Sequence, residues 1–201
     1  MKKKGIILCL ITILLTGCTI VRIDTTSIDN MVNIVTSKNN TLYNRVGIGY
    51  KYYVPRGVTY IDSSGTNDRL YSNGVYYYLY LDEIAYYYKN SLNYKEDAFK
   101  YYSKKINNKN KKGYLEITQK DELYLIEFVY NYAKIEALVP EEDIEMTVLN
   151  SSYILSTIKY NKNIIKLALE DDFLKRKEEK YEEFTSKKET NNFLRYEEKK
   201  E

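Results

Sequence analysis

Cys9 and Cys18 are the only thiols in the chain, and there is no histidine. These two facts limit the chemistry available. Without imidazole there can be no Ser-His-Asp triad and no Cys–His dyad, and the commonest metal ligand is missing. Carboxylates, lysines, tyrosines and serines are left for acid/base or nucleophilic work. Asp62, Ser64, Asn67 and Asp68 could offer oxygens to calcium. They lack the spaced acids, glycine and closing Glu of an EF-hand, so an Asx-rich polar loop is expected instead. Glu141, Glu142 and Asp143 form an acidic run. Glycosidic hydrolysis needs two carboxyls held about 5–9 Å apart in a cleft. Three adjacent acids are better read as partners of a helix dipole. Tyr76, Tyr78 and Tyr80 alternate along one apolar run and are the candidate ligand-binding residues, as an aromatic platform for a glycan or another small molecule. Arg56 lies in a Pro-Arg-Gly turn and is expected to be solvated. The glycines at 47, 49 and 65 match neither a phosphate-binding loop nor a dinucleotide fingerprint.

The position of Cys18 is more informative than its chemistry. Lys2, Lys3 and Lys4 precede a mostly apolar run of about eleven residues, which ends in Leu15-Thr16-Gly17-Cys18. This layout resembles a bacterial lipoprotein signal with its lipobox. The resemblance implies a diacylglyceryl group on the Cys18 thiol, cleavage just before it, and an extracytoplasmic protein anchored to the cell membrane by lipid. An ordinary secretory signal and a retained membrane helix are the alternatives. The run is well short of the roughly 20 residues needed to span a bilayer. One acyl chain holds a protein only marginally, whereas two or three on one cysteine hold it stably.

Removing residues 1–17 changes the composition. Three of the 31 basic residues leave and none of the 28 acids, so the mature chain carries 28 of each. A neutral chain does not suit nucleic acid, whose phosphates call for a basic surplus. The mature body would hold no cysteine beyond Cys18, hence no disulfide and no thiolate metal site. No cofactor is expected. Tyrosine is abundant at 24 residues against five Phe and no Trp. Lys, Asn and Ile are abundant as well, so an AT-rich coding sequence explains the excess as readily as a binding role does.

The elements that must position these groups can be read in order. A tether over residues 18–26 leads to a short amphipathic helix over 28–37, where Ile28, Met31, Val32 and Val35 recur at helical spacing. Strand-like runs at 50–54 and 58–61 flank Pro55-Arg56-Gly57, as a hairpin or a tight corner. A polar loop is expected over 62–68. Asn73-Gly74 between β-type runs predicts a hairpin. Val75, Tyr77, Leu79 and Leu81 then share the core face, and Tyr76, Tyr78 and Tyr80 the other. Residues 84–88 are open between strand and helix. Residues 98–139 read as an antiparallel meander, with Glu116, Glu127 and Glu136 marking its solvent face. After Pro140, the spacing of Ile144, Val148, Ser151, Leu155 and Ile158 predicts a longer helix lying across the sheet. The expectation is a single α+β domain over 27–162, an antiparallel sheet packed against both helices, followed by a charged helical or disordered tail over 163–201.

Two segments of the body, YKYYVPRG at 50–57 and ILSTIKY at 154–160, resemble the strand and closing helix of PsbP-like domains. That resemblance implies an α/β/α sandwich without catalytic residues, used for binding or assembly. The functional expectation is therefore a membrane-anchored, non-enzymatic binding or assembly module of the cell envelope, with an envelope protein as partner. The alternative is a ligand-capturing lipoprotein with a tyrosine-lined groove. An enzyme built on carboxylates would need at least two acids converging on one pocket.

Overall fold

Helix α1 (Ile28–Ser37) forms over the predicted residues, capped by the Ser27 hydroxyl and with Asp29 in its first turn. The computed structural model describes residues 27–170 and, beyond them, residues 178, 181, 184, 196 and 197. Cys18, the signal, the tether and most of the tail lie outside the described residues.

The chain is α+β and its sheets are antiparallel. Two short strands follow α1, β1 (Arg45–Val46) and β2 (Tyr50–Tyr52). Three longer ones form a meander: β3 (Thr59–Ser64), β4 (Asn67–Ser72) and β5 (Val75–Leu81). A small helix α2 (Glu83–Tyr88) and strand β6 (Ser91–Leu92) lead to a second meander. It comprises β7 (Tyr102–Asn108), β8 (Lys111–Lys120), β9 (Leu123–Tyr130) and β10 (Ala133–Val139). A 3₁₀ turn at Glu141–Asp143 opens α3 (Ile144–Thr157). Strand β11 (Lys159–Tyr160), α4 (Lys162–Glu170) and β12 (Tyr196–Glu197) complete the series.

The two meanders join through β5 and β10 into one seven-stranded sheet, in the order β3-β4-β5-β10-β9-β8-β7. Its hairpins turn on residues at positive φ: Asn73 and Gly74 as predicted, then Lys109, Asp121, and Asn131 with Tyr132. One face packs under α1 and α3. Val75, Tyr77, Leu79 and Leu81 from β5 lie there with Ile126, Phe128, Ile135 and Ala137, and with the predicted α3 stripe. Burying that stripe, at about 1.5–3 kcal/mol per large apolar side chain, is what holds α3 to the sheet.

The polar loop expected over 62–68 does not form. Asp62 to Ser64 continue β3, Asn67 and Asp68 begin β4, and Gly65-Thr66 alone make the turn. Short polar side chains can alternate along an edge hairpin as well as fill a loop, and Gly65 at φ 66° supplies the reversal. The runs either side of Pro55-Arg56-Gly57 are not a hairpin. They are a corner between sheets, because β2 pairs with β1 and β11 while β3 joins the large sheet. The two PsbP-resembling segments thus meet, Tyr50 opposite Tyr160 and Lys51 opposite Lys159. Residues 83–88 settle as helix, with Asp82 capping α2. The packed body runs past residue 162, since Ile165 of α4 is fully buried near Tyr86, Tyr87 and Tyr160.

The other face of the sheet departs most from expectation. Glu116, Glu127 and Glu136 stand directly opposite one another on β8, β9 and β10. Glu116 and Glu136 are not on a solvent face: they are 6% and 3% exposed. Tyr94, stacked on Tyr114 at 3.9 Å, covers one end. Tyr181 and Phe184 cover Tyr78 near the other. Facing like charges would repel, so each carboxylate is given partners. Lys100 (3.3 Å) and the Tyr94 hydroxyl (2.9 Å) meet Glu116. The Tyr114 hydroxyl donates to Glu127. Lys134, 1% exposed, pairs with Glu136 at 3.1 Å and with Glu178.

Candidate ligand-binding site

A cavity of about 260 Å³ opens beside the β3–β4 turn, between the large sheet and β1–β2. Tyr50, Tyr52, Tyr60, Arg45, Thr66, Asp68 and Glu83 supply its chemistry. Exposed Val46, Ile48 and Ser63 form its rim, so it communicates with solvent.

Glu83 is held there by α2. The Asp82 side chain accepts from the Ala85 amide at 2.8 Å and starts the helix. Lys89 in the left-handed region ends it. Tyr86 locks the helix in place, stacked on Tyr160 at 4.3 Å and edge-on to Tyr132 at 5.7 Å. Tyr132 sits at φ 61°, rare for a bulky residue. Its carbonyl accepts from the Asp82 amide at 2.9 Å and the Tyr160 hydroxyl at 2.6 Å, tying the β9–β10 turn to α2. The Glu83 side chain is 2% exposed, and neither carboxyl oxygen has a hydrogen-bond partner among the described residues. Burial, reinforced by Asp82, pushes its pKa up to about 8.

Asp68 enters from β4 at 4% exposure and accepts from the Tyr52 hydroxyl at 2.5 Å. Burial raises it as well, against that hydrogen bond. Tyr50 and Tyr52 are pushed above the usual phenol range, chiefly by burial and then by Asp68, so both stay protonated. Thr66 adds an Oγ1 buried without a partner among the described residues. The Arg45 guanidinium lies 3.4 Å over the Tyr60 ring, with no ion-pair partner among the described residues.

The glycines flanking Ile48 have a packing role. A Cβ on Gly47 would fall 2.1 Å from the Tyr50 ring. One on Gly49, at φ 86°, would fall 2.7 Å from Ile165 and 3.0 Å from the Glu83 carboxyl. Their absent side chains let β1 and β2 close over the tyrosines and the acid.

Of the residues singled out in the sequence, Asp68, Gly47 and Gly65 line this cavity, and Ser64 and Asn67 do not. Asp62 instead pairs with Arg69 at the surface. Tyr76, Tyr78 and Tyr80 do share the face away from the helices. Tyr78 is buried beneath Tyr181 and Phe184, Tyr76 is exposed beside Tyr71, and Tyr80 packs against the Tyr94–Tyr114 pair. None of the three lines the cavity. Tyr124 and Tyr130 lie across the sheet in the helix-side core. Glu141 to Asp143 form the first turn before α3, as expected of dipole partners. Among the described residues no cluster of acids is arranged to hold a metal, and no helix is long and apolar enough to cross a membrane.

Sequence reasoning missed Glu83, Arg45 and Thr66. Glu83 follows Asp82 in an Asp-Glu pair that reads as an ordinary helix start. Its burial comes from the Gly49 and Ile165 contacts, which belong to distant segments. Asp68 and Glu83 do bring two acids to one cavity. Burial raises both of them.

The fold and site together define an α+β domain with a polar, tyrosine-lined cavity at its edge. No protein-family model matches the chain, and no curated protein or solved structure matches it.

Proposed function

We propose that this protein is an extracytoplasmic, non-enzymatic binding module, anchored to the cell membrane by lipid on Cys18, which captures a small ligand in the cavity between β1–β2 and β4. The observation that carries the reading is Glu83: a carboxyl 2% exposed, with both oxygens unpartnered among the described residues and a water-accessible cavity beside it. A buried carboxyl left without partners costs about 1–3 kcal/mol or more, a cost that persists where a ligand answers it. The cavity is slightly smaller than the roughly 300–1,000 Å³ of pockets for drug-sized molecules, which limits the ligand to a small one. The lipobox resemblance supports the location, and the PsbP-like resemblance supports binding rather than catalysis.

Two experiments test it. A ligand-observed NMR screen of small polar metabolites should give hits on the wild type that vanish in Ser63→Trp, where an indole plugs the rim. Hits that survive the plug, or none at all, would sink the cavity reading. Separately, Cys18→Ala should abolish acylation and release the protein from membranes. Unchanged membrane attachment would refute the anchor.

Docking of an envelope protein is favoured by one observation. Leu42, Tyr43, Val46 and Ile48 are each at least half exposed, on one short segment beside the cavity mouth. Photo-crosslinking from position 46 in intact cells should capture a discrete partner on this reading.

A further inference from the structure

We propose that the ligand is a small zwitterion carrying an ammonium group and a carboxylate, of which a free α-amino acid is the simplest. This rests on the reading that the cavity binds a ligand, and it names the chemistry that the lining selects.

The lining is mixed in charge. Arg45 contributes a fixed cation near the rim, held flat on Tyr60 and without a carboxylate partner among the described residues. Deeper in, Glu83 holds two oxygens and Thr66 a hydroxyl that are buried without a hydrogen-bond partner among the described residues. Asp68 is the second carboxyl, with the Tyr52 hydroxyl already donating to it. Tyr50 and Tyr52, 7% and 0% exposed, wall the cavity between them.

Each simpler ligand class leaves part of this lining unanswered. An anion would satisfy Arg45 but bring negative charge towards Asp68 and leave the Glu83 carboxyl locked in its protonated form. A plain cation would satisfy the carboxyls but face Arg45. A neutral sugar would desolvate Arg45 without supplying a counter-charge, which is the costly outcome for buried charge. A zwitterion answers both ends, its carboxylate on Arg45 and its ammonium towards Glu83, between walls that include Tyr50 and Tyr52. The volume agrees: about 260 Å³ is the space of several waters at about 30 Å³ each, enough for one amino acid and not for a chain of sugars.

The titratable groups that act on Glu83 are Asp82, which caps its helix, and Tyr50 on β2; Asp68 on β4 and Arg45 on β1 line the same cavity. From α4 Glu83 meets the apolar Ile165 beside Gly49. An arriving ammonium favours the ionised carboxylate, so binding near neutral pH should expel the proton that Glu83 holds.

The test is calorimetry on the full chain in detergent, with a panel of free L-amino acids, their methyl esters (no carboxylate), their N-acetyl derivatives (no ammonium), acetate, ethylammonium and glucose. At least one free amino acid should bind. Its ester and its N-acetyl form should each bind about tenfold more weakly or worse, the size of one charge-assisted contact. Glu83→Gln should cost a similar factor and abolish proton release, measured in two buffers of different ionisation heat. Arg45→Gln should weaken the free amino acid and leave its ester unaffected. Circular dichroism checks that both variants fold. Binding of acetate, ethylammonium or glucose with no binding of any amino acid would overturn the zwitterion and leave small-ligand capture standing. No binding by any probe, together with an empty metabolite screen, would overturn both.

Discussion

Two regions of this protein bury carboxyl groups, and they treat them in opposite ways. On the far face of the large sheet, Glu136 is pushed up to about 7 by burial, but Lys134 stands 3.1 Å away and Glu178 joins the same lysine. Tyrosine hydroxyls and Lys100 serve Glu116 and Glu127. That region brings its own counter-charges and is roofed by aromatic rings. At the sheet edge, Glu83 is pushed to about 8 and meets no such partner among the described residues, in the wall of a cavity. Buried carboxyls that meet a counter-charge from within the fold are structural, even where, as at Glu136, one oxygen has no hydrogen-bond partner among the described residues. A buried acid without such a partner, in the wall of a cavity, is where an outside molecule can supply one.

The comparison breaks most visibly at Lys134. Lys134→Met removes the cation that Glu136 and Glu178 share, and stranding buried charge costs about 3–5 kcal/mol. Urea denaturation at pH 7 measures it. A loss below about 1 kcal/mol would mean that the far face does not depend on its internal pairing.

Tyr52→Phe sharpens the comparison at the cavity itself. It deletes the Tyr52 donor to Asp68 and leaves the Ser63 side chain as a second one, with an expected loss of about 1–3 kcal/mol by the same assay. No change would indicate that Asp68 is answered by other groups.

Glu83→Gln gives the smallest effect and the most specific one. The folded pKa is raised above the ordinary 4.5, so the contribution of Glu83 to stability is full below pH 4.5 and is lost as pH rises towards about 8. Glu136 adds to the same trend only up to about 7. Between pH 7 and 8 the wild type should therefore lose up to about 1.4 kcal/mol per pH unit through Glu83. The Gln variant should be nearly flat there. Equal slopes would place Glu83 in contact with water.

The helices and the long hairpins were legible because their signals are local. Ile28, Met31, Val32 and Val35 repeat at helical spacing within ten residues. Asn73-Gly74 carries its turn in two. The α3 stripe from Ile144 to Ile158 is buried as its spacing predicts. The cavity was not legible because it is assembled from β1, β2, the β3–β4 turn and α2, whose contacts span the chain. Asp68 was noticed, but as part of a loop, since nothing local distinguishes an edge hairpin of Asp, Ser and Asn from an Asx-rich turn. The glutamates at 116 and 136 looked solvent-facing because alternation with apolar residues identifies a face without saying what covers it. Here the cover comes from Tyr94, Tyr181 and Phe184, all outside the meander.

Carbon-detected NMR titration of the Glu83 and Glu136 carboxyls, with and without a saturating free amino acid, tests the contrast between the two regions most directly. Without ligand, both should titrate above the ordinary carboxylate range, Glu83 near 8 and Glu136 near 7. With ligand, the Glu83 midpoint should fall towards the ordinary range while that of Glu136 stays in place. Glu83 and Glu136 titrating alike, with neither responding to ligand, would contradict the account.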